Sequence, residues 1–347
     1  MSKRRATGPT DELMPLSPEE GFDRFIKYRL NRVDENTVRN DKTRLRFFRE
    51  WCEKEDVDNL NDLTGRAMSD FVSWRGSQIK AITLQKQLGT IREALRFWAD
   101  IEAVRPGLHE RVHAPEIPDG AKSKDRHLGQ QRAEQLIDYL DRHEYASQRH
   151  VTLLLLWRTG MRRSALRSLD VDDLKADDFA LVLKHRQDEG TRLKNHEDGE
   201  RWVHLTPNVY QVVQDYVDEV REDVTDDYGR EPLFTTRVGR PTGDTIYKRM
   251  HRVTQPCELG YECPHDRDPE DCEARGSPGV PHKCPSSRGP HSIRRGSITA
   301  HLNESVQPDV VSERCDVSLE VLYEHYDVRT DREKMEVRQD HLSGSWM

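Results

Sequence analysis

The stretch Pro290-His291-Ser292-Ile293-Arg294 sets an imidazole and a guanidinium three residues apart, a spacing that puts both on one face of a helix. An imidazole can pass a proton near neutral pH, and a guanidinium can fork onto two oxygens, so the pair suits a phosphate. The same spacing also describes an ordinary polar helix face, so partners elsewhere must decide. In Thr159-Gly160-Met161-Arg162, which follows the apolar run Leu153–Trp157, Gly160 ends one helix and Arg162 opens the next. A guanidinium at a helix N-terminus favours an anion. Lys194 falls in a polar turn from which an ammonium can reach a bound ligand, and Tyr326 follows in Leu322-Tyr323-Glu324-His325-Tyr326-Asp327.

A second constellation lies just upstream of Pro290. Cys257, Cys263, Cys272 and Cys284 crowd together with His265 and His282 among them, while Cys52 and Cys315 stand apart as free thiols. Four thiolates make a tetrahedral zinc set, and the segment is too rich in Pro, Gly and Asp to order itself by core burial. Its spacings, with five, eight and eleven residues between, lack the tight Cys-x-x-Cys of common fingers. A structural zinc bracing the approach to Pro290 is the expectation, against a flexible insertion carrying reduced thiols.

The elements that must position these groups read as follows. Ser17-Pro18-Glu19-Glu20 is a capped helix start. Apolar stripes then mark four helices: Phe22, Phe25, Ile26 and Leu30; Val38, Leu45, Phe48 and Trp51; Met68, Phe71, Val72 and Trp74; Leu84, Leu88, Ile91, Leu95 and Trp98. Residues 105–125, with Pro106, Gly107, Pro115, Pro118 and Gly120, read as a linker. Beyond it come helices over Leu136–Leu140 and Val151–Trp157, and strands at Phe179–Lys184 and Arg201–Leu205 that form a small hairpin. Helices from Thr206 and over about Thr242–Val253 follow, which gives an α+β fold with an all-helical N-terminal domain. The expected organisation is a disordered 1–15, a helical domain 16–104, the linker, a second domain 126–338 with the Cys-rich insertion 255–286, and a tail 339–347.

Charge is uneven. The 347 residues carry a net −8, yet residues 24–49 hold nine basic side chains against three acidic ones. Arg39, Lys42, Arg44 and Arg46, with Lys80, Lys86 and Arg92 later, form a basic footprint of the kind that tracks a phosphate backbone. A solvated face with local ion pairs is the alternative. The acidic total with only 34% hydrophobic residues admits partial disorder or an acid-rich surface adapted to high salt; the recurring hydrophobic runs favour the second. No run of about 18 apolar residues exists to span a bilayer, and Met1-Ser2-Lys3-Arg4-Arg5 does not lead into an apolar stretch. A cytoplasmic, nucleoid-associated protein without membrane contact is expected.

The order Arg162, Lys194, His291-x-x-Arg294, Tyr326 resembles the tyrosine recombinase family of phage-type integrases and Xer-like resolvases, particularly its haloarchaeal members. The resemblance covers about residues 17–335 and rests on the Thr-Gly-x-Arg and Pro-His-x-x-Arg boxes in this order. It implies a site-specific recombinase that breaks and rejoins DNA through a covalent 3′-phosphotyrosine. Arg162 and Arg294 would clamp the non-bridging oxygens, where charge accumulates in the transition state. His291 would assist the proton traffic of the tyrosine, whose hydroxyl titrates near ~10 when unperturbed, and Lys194 would protonate the departing 5′-oxygen. No ATP or catalytic metal is implied. The partners implied are double-stranded DNA, a homotetramer on two sites and accessory DNA-bending proteins; the N-terminal helices would be the core-binding domain.

This chain departs from the family in three places. Relatives place a His or Trp about nine residues before the tyrosine; here nine before Tyr323 is Arg314 and nine before Tyr326 is Val317. Arg314 could contact the phosphate in that role if Tyr323 were the nucleophile, but the His-Tyr-Asp context favours Tyr326. Ala165 stands where relatives often place a Glu that supports the first Arg. The rival functions are a non-catalytic DNA-binding protein on an integrase scaffold and a type IB topoisomerase.

Overall fold

The computed structural model describes residues 13–117, 126–268, 270–276, 279–327 and 329–343, with side chains to 339. Most of the expected disordered start, the end of the expected linker and the last residues of the expected tail lie outside them. The chain divides into two compact units, Met1–Lys124 and Asp125–Met347.

The first unit is built from α1 (Pro18–Leu30), α2 (Glu35–Lys54), α3 (Gly65–Gly76) and α4 (Ala81–Asp100). Three of these begin on a side chain that accepts an otherwise orphaned backbone N–H: Ser17 from Glu20, Asp34 from Thr37, Thr64 from Ala67. Their apolar stripes meet in a core of Phe25, Phe48, Phe71, Leu88 and Trp98. Burial of each such side chain contributes about 1.5–3 kcal/mol. Trp98 also donates its indole N–H to the Gly21 carbonyl at 2.8 Å. The start of the expected linker belongs to this unit. Leu108 and Val112 are buried in its core, and Arg92 holds the Val112 carbonyl through Nε and Nη2 at 2.9 and 2.6 Å.

The second unit opens with α5 (Gln130–His143), α6 (Gln148–Thr159) and α7 (Arg163–Ser168). A three-stranded antiparallel sheet follows, β1 (Leu174–Lys175), β2 (Ala180–Leu183) and β3 (Arg201–His204), in the order β1-β2-β3. Its register pairs Leu181 with Val203 and Leu174 with Leu181. The hairpin of β2 and β3 matches the expectation; the two-residue β1 was too short to carry a period. Helices α8 (Pro207–Glu219), α9 (Gly243–Val253), α10 (Pro290–Asn303) and α11 (Pro308–Cys315) come next, then α12 (Leu319–Val321) and α13 (Asp331–Ser343). The last helix runs past residue 338, where the tail was expected to begin. Between α12 and α13, Leu322–Tyr326 form a π-helical turn closed by the Asp327 N–H on the Leu322 carbonyl at 2.8 Å.

The run Val151–Trp157 of α6 is buried on every face, and α10 packs along it. The approach needs a glycine. A Cβ on Gly296 would lie 1.9 Å from the Leu128 carbonyl oxygen, while the Leu128 N–H reaches Ser292 O at 3.0 Å. Among the described residues no helix is long and apolar enough to cross a membrane.

Candidate active site

Gly160 caps α6 in the left-handed conformation at φ 61°, which turns the chain so that Arg162 stands at the N-terminus of α7. A Cβ there would meet Cys315 Sγ at 2.6 Å, so glycine serves both the backbone and the packing. From α10, Arg294 reaches into this corner and is only 1% exposed. Its Nη1 donates to the carbonyls of Gly160 (2.6 Å) and Cys315 (2.5 Å), which fastens α6, α10 and α11 together. Its Nε and Nη2 are buried with no hydrogen-bond partner among the described residues. An unpaired buried donor costs about 1–3 kcal/mol, more when charged. Two on one guanidinium are suited to oxygens that arrive with a ligand.

Tyr326 lies over that guanidinium. Its ring centroid is 4.9 Å from Arg294 Cζ and 5.7 Å from the His291 ring, which it meets edge-on. The Tyr326 carbonyl accepts from Thr299 Oγ1 at 2.9 Å, so α10 also fixes the backbone of the π turn. Tyr326 is 7% exposed, whereas Tyr323 is 52% exposed and lines a separate recess with Asp327, Arg329 and Lys334. Of the two tyrosines, the structure brings Tyr326 to His291 and Arg294.

Lys194 sits exposed in the β2–β3 connection, near enough to His291 that its charge, after partial desolvation and the charges of Arg294 and Arg295, helps hold the imidazole below its usual range. Arg162 contributes to the same depression. His291 is therefore neutral at pH 7 and able to accept a proton. Arg162 itself is lowered by burial and by Arg294, against the carboxylate of Asp316, to which its Nη1 donates.

Sequence reasoning missed two members of this cluster. Arg201, at the start of β3, shares a face with the buried Val203 and is drawn in by the alternation of the strand. Its Nε and Nη1 hold the carbonyls of Arg314 (2.8 Å) and Gly199 (2.7 Å), and burial pushes its guanidinium down to about 10, still charged at neutral pH. An arginine on the apolar side of a strand was the available signal. Asp316, the left-handed cap of α11 at φ 55°, offered none. Arg314 does not join them: its Nη2 is spent on the carbonyls of Arg158 (3.1 Å) and His204 (2.9 Å), so it staples β3 to α6 rather than facing a phosphate.

The expected zinc set is not assembled. No three of Cys257, Cys263, Cys272, Cys284, His265 and His282 place ligand atoms within 4.8 Å of one another. The insertion is braced instead by hydrogen bonds, with Gln255 Nε2 on the carbonyls of Ala274 (3.2 Å) and Pro281 (3.1 Å) and His265 Nε2 2.8 Å from Ser286 Oγ. Burial raises the Cys257 thiol, which favours its protonated form. The group that does gather, His185, His196 and Glu197, suits a metal poorly. His185 Nδ1 accepts the Leu193 N–H at 3.1 Å, so a neutral ring keeps its proton on Nε2, the remaining ligand atom.

The sequence model of the phage integrase family matches residues 126–267. The N-terminal domain of a phage integrase/site-specific recombinase from Haloarcula marismortui is 31% identical over 29% of this chain and 99% of that one, with a TM-score of 0.29. The chain belongs to the phage integrase family of tyrosine recombinases. Tyrosine recombinases of known structure share the fold of this one. The Tn1549 transposon integrase, solved with a circular intermediate DNA, has a TM-score of 0.66 at 13% identity, covering 93% of this chain and 99% of that one. A lambda integrase dimer bound to a COC′ core site gives 0.59 at 14% identity, over 95% and 79%. No curated protein matches the sequence. The family match includes Arg162 and Lys194 but ends before His291, Arg294 and Tyr326, whose assignment in this recombinase stands on the geometry above.

Proposed function

We propose that this member of the family is a site-specific DNA recombinase whose nucleophile is Tyr326. The carrying observation is Arg294: a guanidinium buried to 1%, with two unpaired donors, directly beneath the Tyr326 ring. The Tyr326 hydroxyl oxygen attacks phosphorus, the bond from phosphorus to the 5′-oxygen breaks, and a 3′-phosphotyrosine results. Arg162 and Arg294 offset the charge that builds on the non-bridging oxygens. Neutral His291 takes part in the transfer of the tyrosine proton, and Lys194 protonates the 5′-oxygen as it leaves. Rejoining reverses these steps, so the phosphotyrosine conserves the bond and no ATP is required. Four copies on two duplex sites would form the active synapse. The test is to trap the protein covalently on fragmented host DNA, sequence what is captured, and rebuild that sequence as a nicked suicide duplex. If wild-type protein retards this duplex without covalent linkage, the chain is a binder and not a recombinase.

The imidazole gives a pH signature. Because the folded protein lowers the pKa of His291, cleavage at subsaturating DNA, which reports the free protein, should hold through neutrality and fall only below the ordinary imidazole value of about 6.5. His291→Gln should lower the rate and remove that acid limb. A wild-type limb centred above 6.5 would contradict the neutral assignment.

Duplex DNA is also the partner that the first unit fits. Arg39, Lys42 and Arg46 recur along one face of α2, with Arg46 3.5 Å from Glu50, and Lys80 and Lys86 are exposed at α4. Arg44 and Arg92 are more committed: Arg44 Nη1 donates to Thr90 Oγ1 at 3.0 Å, and Arg92 to Val112. Lys42→Ala and Lys86→Ala should each make the slope of log affinity against log salt less steep by about 0.9. Arg92→Ala should instead lower stability. Unchanged slopes in both lysine variants would remove α2 and α4 from the interface.

A further inference from the structure

The carboxylate that supports Arg162 comes from a distant part of the chain. Three residues after Arg162 on α7 stands Ala165, buried and unable to accept a hydrogen bond through its side chain. Asp316 supplies the charge. Its backbone is left-handed at φ 55°, a conformation that Asp tolerates better than most residues, and this turns the side chain back from the end of α11. One oxygen, Oδ2, takes Arg162 Nη1 and lies 4.0 Å from Arg201 Nη1; the other, Oδ1, takes Asn195 Nδ2 at 2.6 Å. Asn195 adjoins Lys194.

We propose that Asp316 is a positioning residue that orients the Arg162 guanidinium and, through Asn195, holds the Lys194 turn beside it. Phosphate clamp and general acid are thereby set by one carboxylate. This rests on the assignment of those two roles to Arg162 and Lys194. Three features support it. Asp316 engages Nη1 and leaves the Nε edge of Arg162 to other oxygens. Its charge acts on both Arg162 and Arg201, so its removal leaves those guanidiniums, with Arg294, to repel one another. It also lies ten residues before Tyr326, one more than the family spacing, and the π turn at Leu322–Tyr326 takes up one extra residue. Asp316 thus enters the site from the segment where relatives carry His or Trp.

The experiment uses full-length protein and the nicked suicide duplex described above, in two forms. One has the normal 5′-oxygen at the scissile bond. The other has sulfur there, a leaving group of low enough pKa to depart without a proton and so without Lys194. Single-turnover cleavage by Asp316→Ala should fall on the order of 100-fold with the oxygen duplex, as for a misplaced catalytic group. Sulfur should restore only the part owed to Lys194. Asp316→Asn, which keeps an acceptor, should stay within about tenfold of wild type. Asn195→Ala should be slow with oxygen and near wild type with sulfur. Equal defects of Asn195→Ala on both duplexes would overturn the link to Lys194. Wild-type or faster cleavage by Asp316→Ala would show instead that the carboxylate merely occupies the place of the phosphate. Should Asp316→Ala fail to fold, the exposed Asn195→Ala decides. Failure of wild type to form any adduct sinks the assigned function; an active wild type with indifferent variants sinks only this proposal.

Discussion

Tyr326→Phe should abolish covalent attachment to DNA, a loss on the order of 10⁴-fold or more, as expected when a nucleophile is removed. Folding should survive. Phenylalanine keeps the ring that lies over Arg294 and against His291, and the carbonyl held by Thr299 is untouched. Stability should therefore change by less than about 1 kcal/mol. Tyr323→Phe, at a half-exposed ring in a separate recess, should leave both adduct and stability near wild type. Denaturant unfolding and denaturing gels of trapped complexes read the two effects independently. An adduct that persists in Tyr326→Phe and vanishes in Tyr323→Phe reverses the assignment.

Arg294 should show the second large effect, and it should separate into two parts. Arg294→Ala deprives the Gly160 and Cys315 carbonyls of their shared donor and opens a cavity where α6, α10 and α11 meet. A destabilisation of about 2–4 kcal/mol follows. Cleavage should fall by about 10²–10³-fold from the lost transition-state contacts. Arg294→Lys separates them, because an ammonium can still reach one of the carbonyls but cannot fork onto a phosphate. It should recover part of the stability and little of the rate. A lysine variant that cleaves at the wild-type rate would mean that Arg294 is structural and that its two unpaired donors have no part in the chemistry.

Local signals made the fold and most of the candidate site legible. The cap at Ser17, stripes of period 3.6 and the strand-like runs at 179–184 and 201–205 each act over a few residues, and each produced the element it forecasts. Arg162, Lys194, His291 and Arg294 were readable for the same reason, since each is placed by its own cap, turn or helix face. Arg201 and Asp316 were not. What recruits them is the approach of the end of α11 to α7 and to β3, contacts across more than a hundred residues. Counting back from the tyrosine failed because the π turn breaks the regular register there, and Arg314, plausible by count, is consumed by carbonyls of α6 and β3. The cysteines stand apart from both: residue types announced a zinc set, but types do not bring ligand atoms together, and no three of these lie within 4.8 Å of one another.

The most direct test of the central claim is to locate the DNA-linked residue in the trapped wild-type complex by mass spectrometry. Trypsin should release a peptide from Cys315 to Arg329 that contains both tyrosines, so the fragment spectrum must distinguish them. The geometry of Arg294, His291 and the π turn predicts the nucleotide remnant on Tyr326. A remnant on Tyr323, or on any residue outside that peptide, would contradict it.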